Sequence, residues 1–299
     1  MNKSTLLIFF IAFSLLTTKF YGQTTEQKID NLFSEYNNQP GYVIAVYKNG
    51  DIDFQKGYGF ANLDYDVKIT PKSIFDIASV SKQFTALSIL LLEREEKLSL
   101  EEPINKYIPE LQAYQNGTVT IRHVLYHTSG LKDYLKFLTA SGKTYNDRLT
   151  ERMALNILSK VKDLNFEPGT KYEYSNSNYL VLAKIIREVS GMSIGEFIKE
   201  RIFDPLEMND SFILEVPNKV VKNRAIGYYQ NSKGDFKINH FYDITFGGDG
   251  QLYTTVQDFF KWNENFKSFK VGNKELLDEM LRFGTLNNGI STDEGIGLE

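Results

Sequence analysis

The 299-residue chain contains no cysteine. That excludes a disulfide framework, a thiol nucleophile, a thiolate metal site and a lipid-modified cysteine behind a leader, so stability must come from the packed core. Long hydrophobic runs are also missing. The longest covers residues 6–16, is interrupted by Ser14 and ends at Thr17-Thr18-Lys19; roughly 18 apolar residues are needed to cross a membrane. With Lys3 ahead of it and small residues near Tyr21-Gly22-Gln23, it reads as a signal peptide over residues 1–23. The expected mature protein is residues 24–299, exported to a periplasmic or extracellular location, with no stable membrane span once the leader is removed.

Single-sign charge blocks are absent too: 34 Lys+Arg and 38 Asp+Glu give a net charge of −4, spread along the chain. A nucleic-acid partner is therefore not expected, because a phosphate-binding face shows as clustered Lys and Arg. Gly-x-Ser-x-Gly, the mark of α/β-hydrolases, occurs once, at Gly191-Met192-Ser193-Ile194-Gly195, but it follows an apolar helical run and its Ser193 opens a capping box, which is not the strand-to-helix elbow that such a nucleophile needs. Gly57-Tyr58-Gly59-Phe60 lacks the third glycine of a dinucleotide loop and reads as a strand feature, and no cofactor is expected. His123 and His127 are four apart, but no glutamate follows His123 and only His240 remains elsewhere. A structural role in a buried turn fits these histidines better than a zinc site, and no metal is expected.

What is present reads as an α+β domain. Residues 27–36 carry Ile29, Leu32, Phe33 and Tyr36 at helical spacing, and Asn49-Gly50 between two β-prone runs predicts a hairpin. Residues 79–92 form a mostly apolar helical run, and residues 100–215 look predominantly helical, with a capping box at Ser193/Glu196. Strand-like pieces follow near residues 225–230 and 236–238, then a tight turn at Gly247-Gly248-Asp249-Gly250 and a helix capped by Thr255.

Ser-x-x-Lys occurs three times, as Ser79/Lys82, Ser129/Lys132 and Ser159/Lys162. Only Ser79 heads an apolar helix after a β-like run. Three residues apart on a helix, Ser79 and Lys82 share a face. A serine hydroxyl needs a neighbouring base, and a lysine serves as one where burial disfavours its charged form. Tyr-x-Asn occurs five times, at Tyr36/Asn38, Tyr47/Asn49, Tyr114/Asn116, Tyr174/Asn176 and Tyr229/Asn231; only the Tyr174/Asn176 copy lies between a Pro-Gly turn and an apolar helix. There a phenol is placed to relay a proton and an amide to hold a substrate carbonyl.

Ala78-Ser79-Val80-Ser81-Lys82, then Thr120-Ile121-Arg122-His123-Val124-Leu125-Tyr126-His127-Thr128-Ser129-Gly130-Leu131, then Pro168-Gly169 through Tyr174-Ser175-Asn176, resembles the serine β-lactamase-related family. That family includes class C β-lactamases, D-alanyl-D-alanine carboxypeptidases and related esterases. Phe203-Asp204-Pro205-Leu206-Glu207-Met208 resembles the segment closing its helical subdomain, and Gly247-Gly248 through Asp258-Phe259 its return to the sheet. The resemblance implies a β-lactamase/transpeptidase-like fold, an antiparallel sheet flanked by helices plus a helical subdomain. It implies acylation of Ser79, proton traffic shared by Lys82 and Tyr174, and substrate contact by Asn176. The substrate is then a small molecule or peptide carrying a peptide, β-lactam or ester bond, with a peptidoglycan stem peptide among the candidates. The family's third motif, Lys-Thr-Gly, His-Thr-Gly or His-Gly-Gly, is not found, and residues 294–299 look like the strand just ahead of it. The late sheet strands are therefore expected to be missing and catalysis to be weak, since loss of one oxyanion donor costs ~100- to 1000-fold. The alternative is a penicillin-binding-like sensory or binding module that keeps the fold without turnover.

Overall fold

A computed structural model describes residues 23–111, 114–143, 147–216, 218–239 and 243–297. The leader expected over residues 1–23 lies outside them except for Gln23, as does His240.

The first helix, α1 (Thr25–Phe33), opens on a capping box in which Thr24 and Gln27 satisfy each other's backbone N–H groups. It is shorter than the apolar spacing suggests. Residues Ser34–Asn38 tighten into a 3-10 turn that carries Tyr36, and Leu32 is exposed. The chain then forms the expected hairpin of β1 (Tyr42–Lys48) and β2 (Asp51–Tyr58), with Asn49 and Gly50 both at positive φ as the tight turn demands. Short strands β3 (Phe60–Asn62), β4 (Val67–Lys68) and β5 (Phe75–Asp76) lead to α2 (Lys82–Arg94).

The helical subdomain follows as α3 (Ile121–Leu125), α4 (Tyr134–Ala140), the two-residue strand β6 (Arg148–Leu149), α5 (Glu151–Ser159), α6 (Asn176–Ser190) and α7 (Ile194–Ile198). The Ser193/Glu196 capping box is present at the start of α7. The return to strands comprises β7 (Phe212–Ile213), β8 (Tyr228–Gln230), β9 (Phe236–Ile238), β10 (Asp243–Ile244) and β11 (Leu252–Thr254). Helices α8 (Val256–Ser268), capped by Thr255, and α9 (Lys274–Leu281) follow.

The strands form separate small sheets among the described residues. β1 and β2 pair with each other, β11 lies antiparallel between β5 and β7, and β6 and β10 form a parallel pair. Helix α8 crosses the hairpin, where the Tyr47 hydroxyl donates to the Val256 carbonyl at 2.6 Å and its ring lies 5.2 Å from Phe260. One sequence expectation is corrected here. Residues 296–297 form a turn rather than a strand: Ile296 is buried, its N–H donates to the Met280 carbonyl at 2.9 Å, and Gly297 takes φ 67°.

The centre of the molecule is α2. Phe84, Leu87, Ile89, Leu90 and Leu92 are fully buried, packed against Leu180, Val181, Ile185 and Ile186 of α6 and against Trp262, whose ring lies 4.3 Å from Phe84. Each such side chain contributes about 1.5–3 kcal/mol of transfer free energy, so both helices are held rigidly where they carry polar groups. A second constraint acts at Gly248, held at φ 116° while its carbonyl accepts from the Thr85 hydroxyl at 2.8 Å. A methyl group there would meet Ala183 Cβ at 2.5 Å and the Tyr179 carbonyl oxygen at 2.8 Å. Gly248→Ala is expected to destabilise by about 2–4 kcal/mol through overpacking and backbone strain. Urea denaturation should show this as a lower midpoint at unchanged slope.

Candidate active site

Antiparallel pairing of Asp76 with Tyr253 delivers the chain to the head of α2, and the Ile77 N–H donates to the Leu252 carbonyl at 2.9 Å. The backbone then turns sharply. Ala78 takes φ 47°, with its N–H held by the Asp76 carboxylate at 2.9 Å. A left-handed alanine costs roughly 1–2 kcal/mol, strain of the kind concentrated at functional sites. Ser79 therefore sits in a 3-10 turn (Ala78–Ser81) just ahead of the α-helix, rather than as its first α-helical residue. The tightened turn keeps the Ser-x-x-Lys reach: the Lys82 ammonium donates to Ser79 Oγ at 3.0 Å.

Lys82 is almost wholly buried, at 1% exposure, while Ser79 stays half-open. Its Nζ also donates to Asn176 Oδ1 at 3.1 Å and to the Asp249 carbonyl at 2.7 Å. Three acceptors around one ammonium match its three N–H donors. The Tyr174 hydroxyl lies 2.8 Å from Ser79 Oγ and donates to Asn176 Oδ1 at 3.2 Å. All four residues singled out in the sequence thus meet in one place, although Tyr174 is 95 positions from Ser79.

The other copies of the motif do other things. Ser129 is fully buried and donates to Asn178 Oδ1 at 2.6 Å, fixing the loop ahead of α4. Ser159 donates to the Asn156 carbonyl at 3.1 Å at the end of α5. His123 sits in the first turn of α3, where its Nδ1 accepts from the Thr120 N–H at 3.2 Å. His127 is buried further along, against the Tyr174 loop.

Around this cluster lies a polar layer that the sequence did not reveal. Asp133 caps α4 by accepting from the Leu135 N–H at 2.8 Å. Its other carboxylate oxygen accepts from both the backbone N–H and the side-chain Nδ2 of Asn176, each at 3.0 Å. Asn176 is therefore oriented by a buried carboxylate, with its Oδ1 aimed at Lys82 and Tyr174. Asp249 is equally enclosed, and the Tyr134 hydroxyl donates to its Oδ2 at 2.5 Å. Burial pushes the Asp249 carboxyl above the usual carboxylate range, opposed by the charge of Lys82 and the bond from Tyr134. Burial likewise raises Tyr134, with Asp249 adding to the rise. The local signal for Asp133 was its place before a helical run; Asp249 read only as part of a glycine turn. Among the described residues no group of three or more His, Asp or Glu side chains is arranged to hold a metal ion.

Comparison with known proteins shows the family. Penicillin-binding protein 4* of Bacillus subtilis is 30% identical over 289 residues, covering 92% of this chain and 63% of that protein. A teichoic acid D-alanine hydrolase of Staphylococcus aureus is 32% identical over 245 residues, covering 81% of this chain and 58% of that one. The chain thus spans less than two thirds of either relative. Among solved structures, the octameric penicillin-binding protein homologue from Pyrococcus abyssi superposes with a TM-score of 0.77 at 29% identity, over 91% of this chain and 63% of that one. The β-lactamase family pattern matches residues 29–295, and with the serine, lysine and tyrosine assembled as above, the chain belongs to the β-lactamase family.

Proposed function

We propose that this chain is an exported serine hydrolase working through an acyl-enzyme, with Ser79 as nucleophile, Lys82 as base and Tyr174 as proton relay. One observation carries the reading: a single half-open hydroxyl lies within hydrogen-bond reach of both a buried amine and a phenol. The first half-reaction runs from the form in which the Lys82–Tyr174 pair has given up one proton from its resting ammonium–phenol state; Ser79 Oγ attacks the substrate carbonyl carbon and its proton passes to that pair. The tetrahedral intermediate collapses, the acyl–leaving-group bond breaks, and the departing nitrogen or oxygen takes that proton. In the second, water gives a proton to the same pair, attacks the Ser79 ester and releases the acid, and Ser79 recovers its hydrogen. Asn176 has a second Nδ2 hydrogen that Asp133 does not engage, and this is the group we assign to the substrate carbonyl.

For the substrate we propose an ester or amide of a D-configured aminoacyl group. Support comes from the names of the relatives, a teichoic acid D-alanine hydrolase and a D-aminopeptidase of Gluconobacter oxydans. A cell-envelope substrate suits residues 1–23 as an export signal and a periplasmic or extracellular location. The test presents the full chain with D-alanyl and L-alanyl esters and a chromogenic β-lactam. Expected is a burst of leaving group followed by steady release, with the D-ester preferred over the L-ester by at least about tenfold. A stoichiometric adduct that never turns over would make the protein an acylated sensor instead, and no adduct at all would remove both readings.

A further inference from the structure

The loop that presents Tyr174 is held by one side chain from the turn after α3. His127 is 4% exposed and takes φ 53°. Its carbonyl accepts from the Glu173 N–H at 3.0 Å. Its Nδ1 faces two groups, the Ser175 N–H at 3.2 Å and Asn178 Nδ2 at 2.8 Å. Both carry hydrogens when Asn178 Oδ1 is engaged by the Ser129 hydroxyl, so Nδ1 must accept and the ring proton belongs on Nε2. Among the described residues Nε2 is buried without a hydrogen-bond partner. The flat face of the ring is what the site uses: it stacks on Tyr174 with centroids 4.7 Å apart and planes 29° from parallel. Tyr179 lies 5.2 Å away and Tyr172 meets the ring edge-on at 6.1 Å. His127 therefore grips the residues before and after Tyr174 and covers the phenol itself.

Electrostatics agree with a passive plate. Burial, and after it the charge of Lys82, pushes the imidazole down to about 3. A charged ring at that spot would repel Lys82 and draw the phenol toward its ionised form; a neutral ring does neither.

We propose that His127 is the positioning residue for Tyr174, its neutral ring setting the angle and reach of the phenol toward Ser79 and Lys82 without touching substrate. The proposal rests on Tyr174 lying in the proton path described above. The test compares wild type, His127→Asn, Tyr174→Phe and the double variant. Asparagine tolerates positive φ best among non-glycine residues, and its Oδ1 replaces the Nδ1 acceptor while the stacked ring is lost. Labelling by a fluorophosphonate should slow about 10- to 100-fold in His127→Asn, with the pH profile of the labelling rate displaced. In the Tyr174→Phe background the same change should alter the rate less than about twofold, because both act through one group. Equal slowing in the two backgrounds would overturn the proposal. A second readout does not depend on activity: in the Ser79→Ala protein, the Tyr174 ring resonances should lose their stacking shift when His127 is replaced. That separates failure of this inference from failure of the nucleophile assignment. His127→Gln serves if the asparagine variant does not melt like wild type, and failure of both to fold would assign His127 to stability alone.

Discussion

Lys82→Met is expected to slow acylation by roughly 10²–10⁴-fold and to make the variant's stability deficit grow with pH. The kinetic loss follows from the only amine within reach of Ser79 Oγ among the described residues; Tyr174 remains, but a phenol alone is a poor acceptor near neutrality. The stability effect works through Asp249. Burial raises that carboxyl in the folded protein, and the charge of Lys82 is the strongest influence holding it back. With the lysine gone, the folded-state value climbs further above the unfolded one. A carboxyl raised in this way binds its proton more tightly when folded, so its contribution is present at low pH and is lost as pH rises toward the folded value. Methionine fills the space left by the lysine stem at 1% exposure, which limits the packing loss. The deficit relative to wild type should therefore be smallest at low pH and grow as pH rises, read by chemical denaturation across a pH series. Labelling at the wild-type rate would show that Tyr174 takes the proton alone, and a pH-independent deficit would remove the link to Asp249.

Much of the site was legible because its chemistry is local. Ser79 and Lys82 are three apart, and one turn brings them together whether it is 3-10 or α. Tyr174 and Asn176 were legible through the rigid Pro-Gly loop and through family resemblance; no local rule joins positions 95 apart. Asp133, Tyr134 and Asp249 were not legible. Their roles exist only once α4, α6 and the glycine turn are packed, and a buried carboxylate carries no periodic signature. The same limit explains the fold. Capping at Ser193 and Thr255 was local and present as read, as was the Asn49-Gly50 hairpin. The parallel pairing of β6 with β10 joins residues 148–149 to 243–244 and had no sequence signal. At residues 296–297, the docking of Ile296 on Met280 outweighed a strand-like pattern.

The central claim is that one serine of three becomes acylated. Ser129 has the same spacing to a lysine, but its hydroxyl is fully buried and spent on Asn178, so Ser129→Ala should cost about 1–3 kcal/mol of stability and leave labelling intact. Ser159 is bonded to its own helix, and Ser159→Ala should change neither property measurably. Ser79→Ala removes the hydroxyl shared by Lys82 and Tyr174, and the residual rate should fall below detection. Intact-protein mass spectrometry after exposure to a fluorophosphonate measures this directly. The account predicts a single adduct on wild type, Ser129→Ala and Ser159→Ala, mapped to the Ser79 peptide, and none on Ser79→Ala; an adduct of equal yield on Ser79→Ala would contradict it.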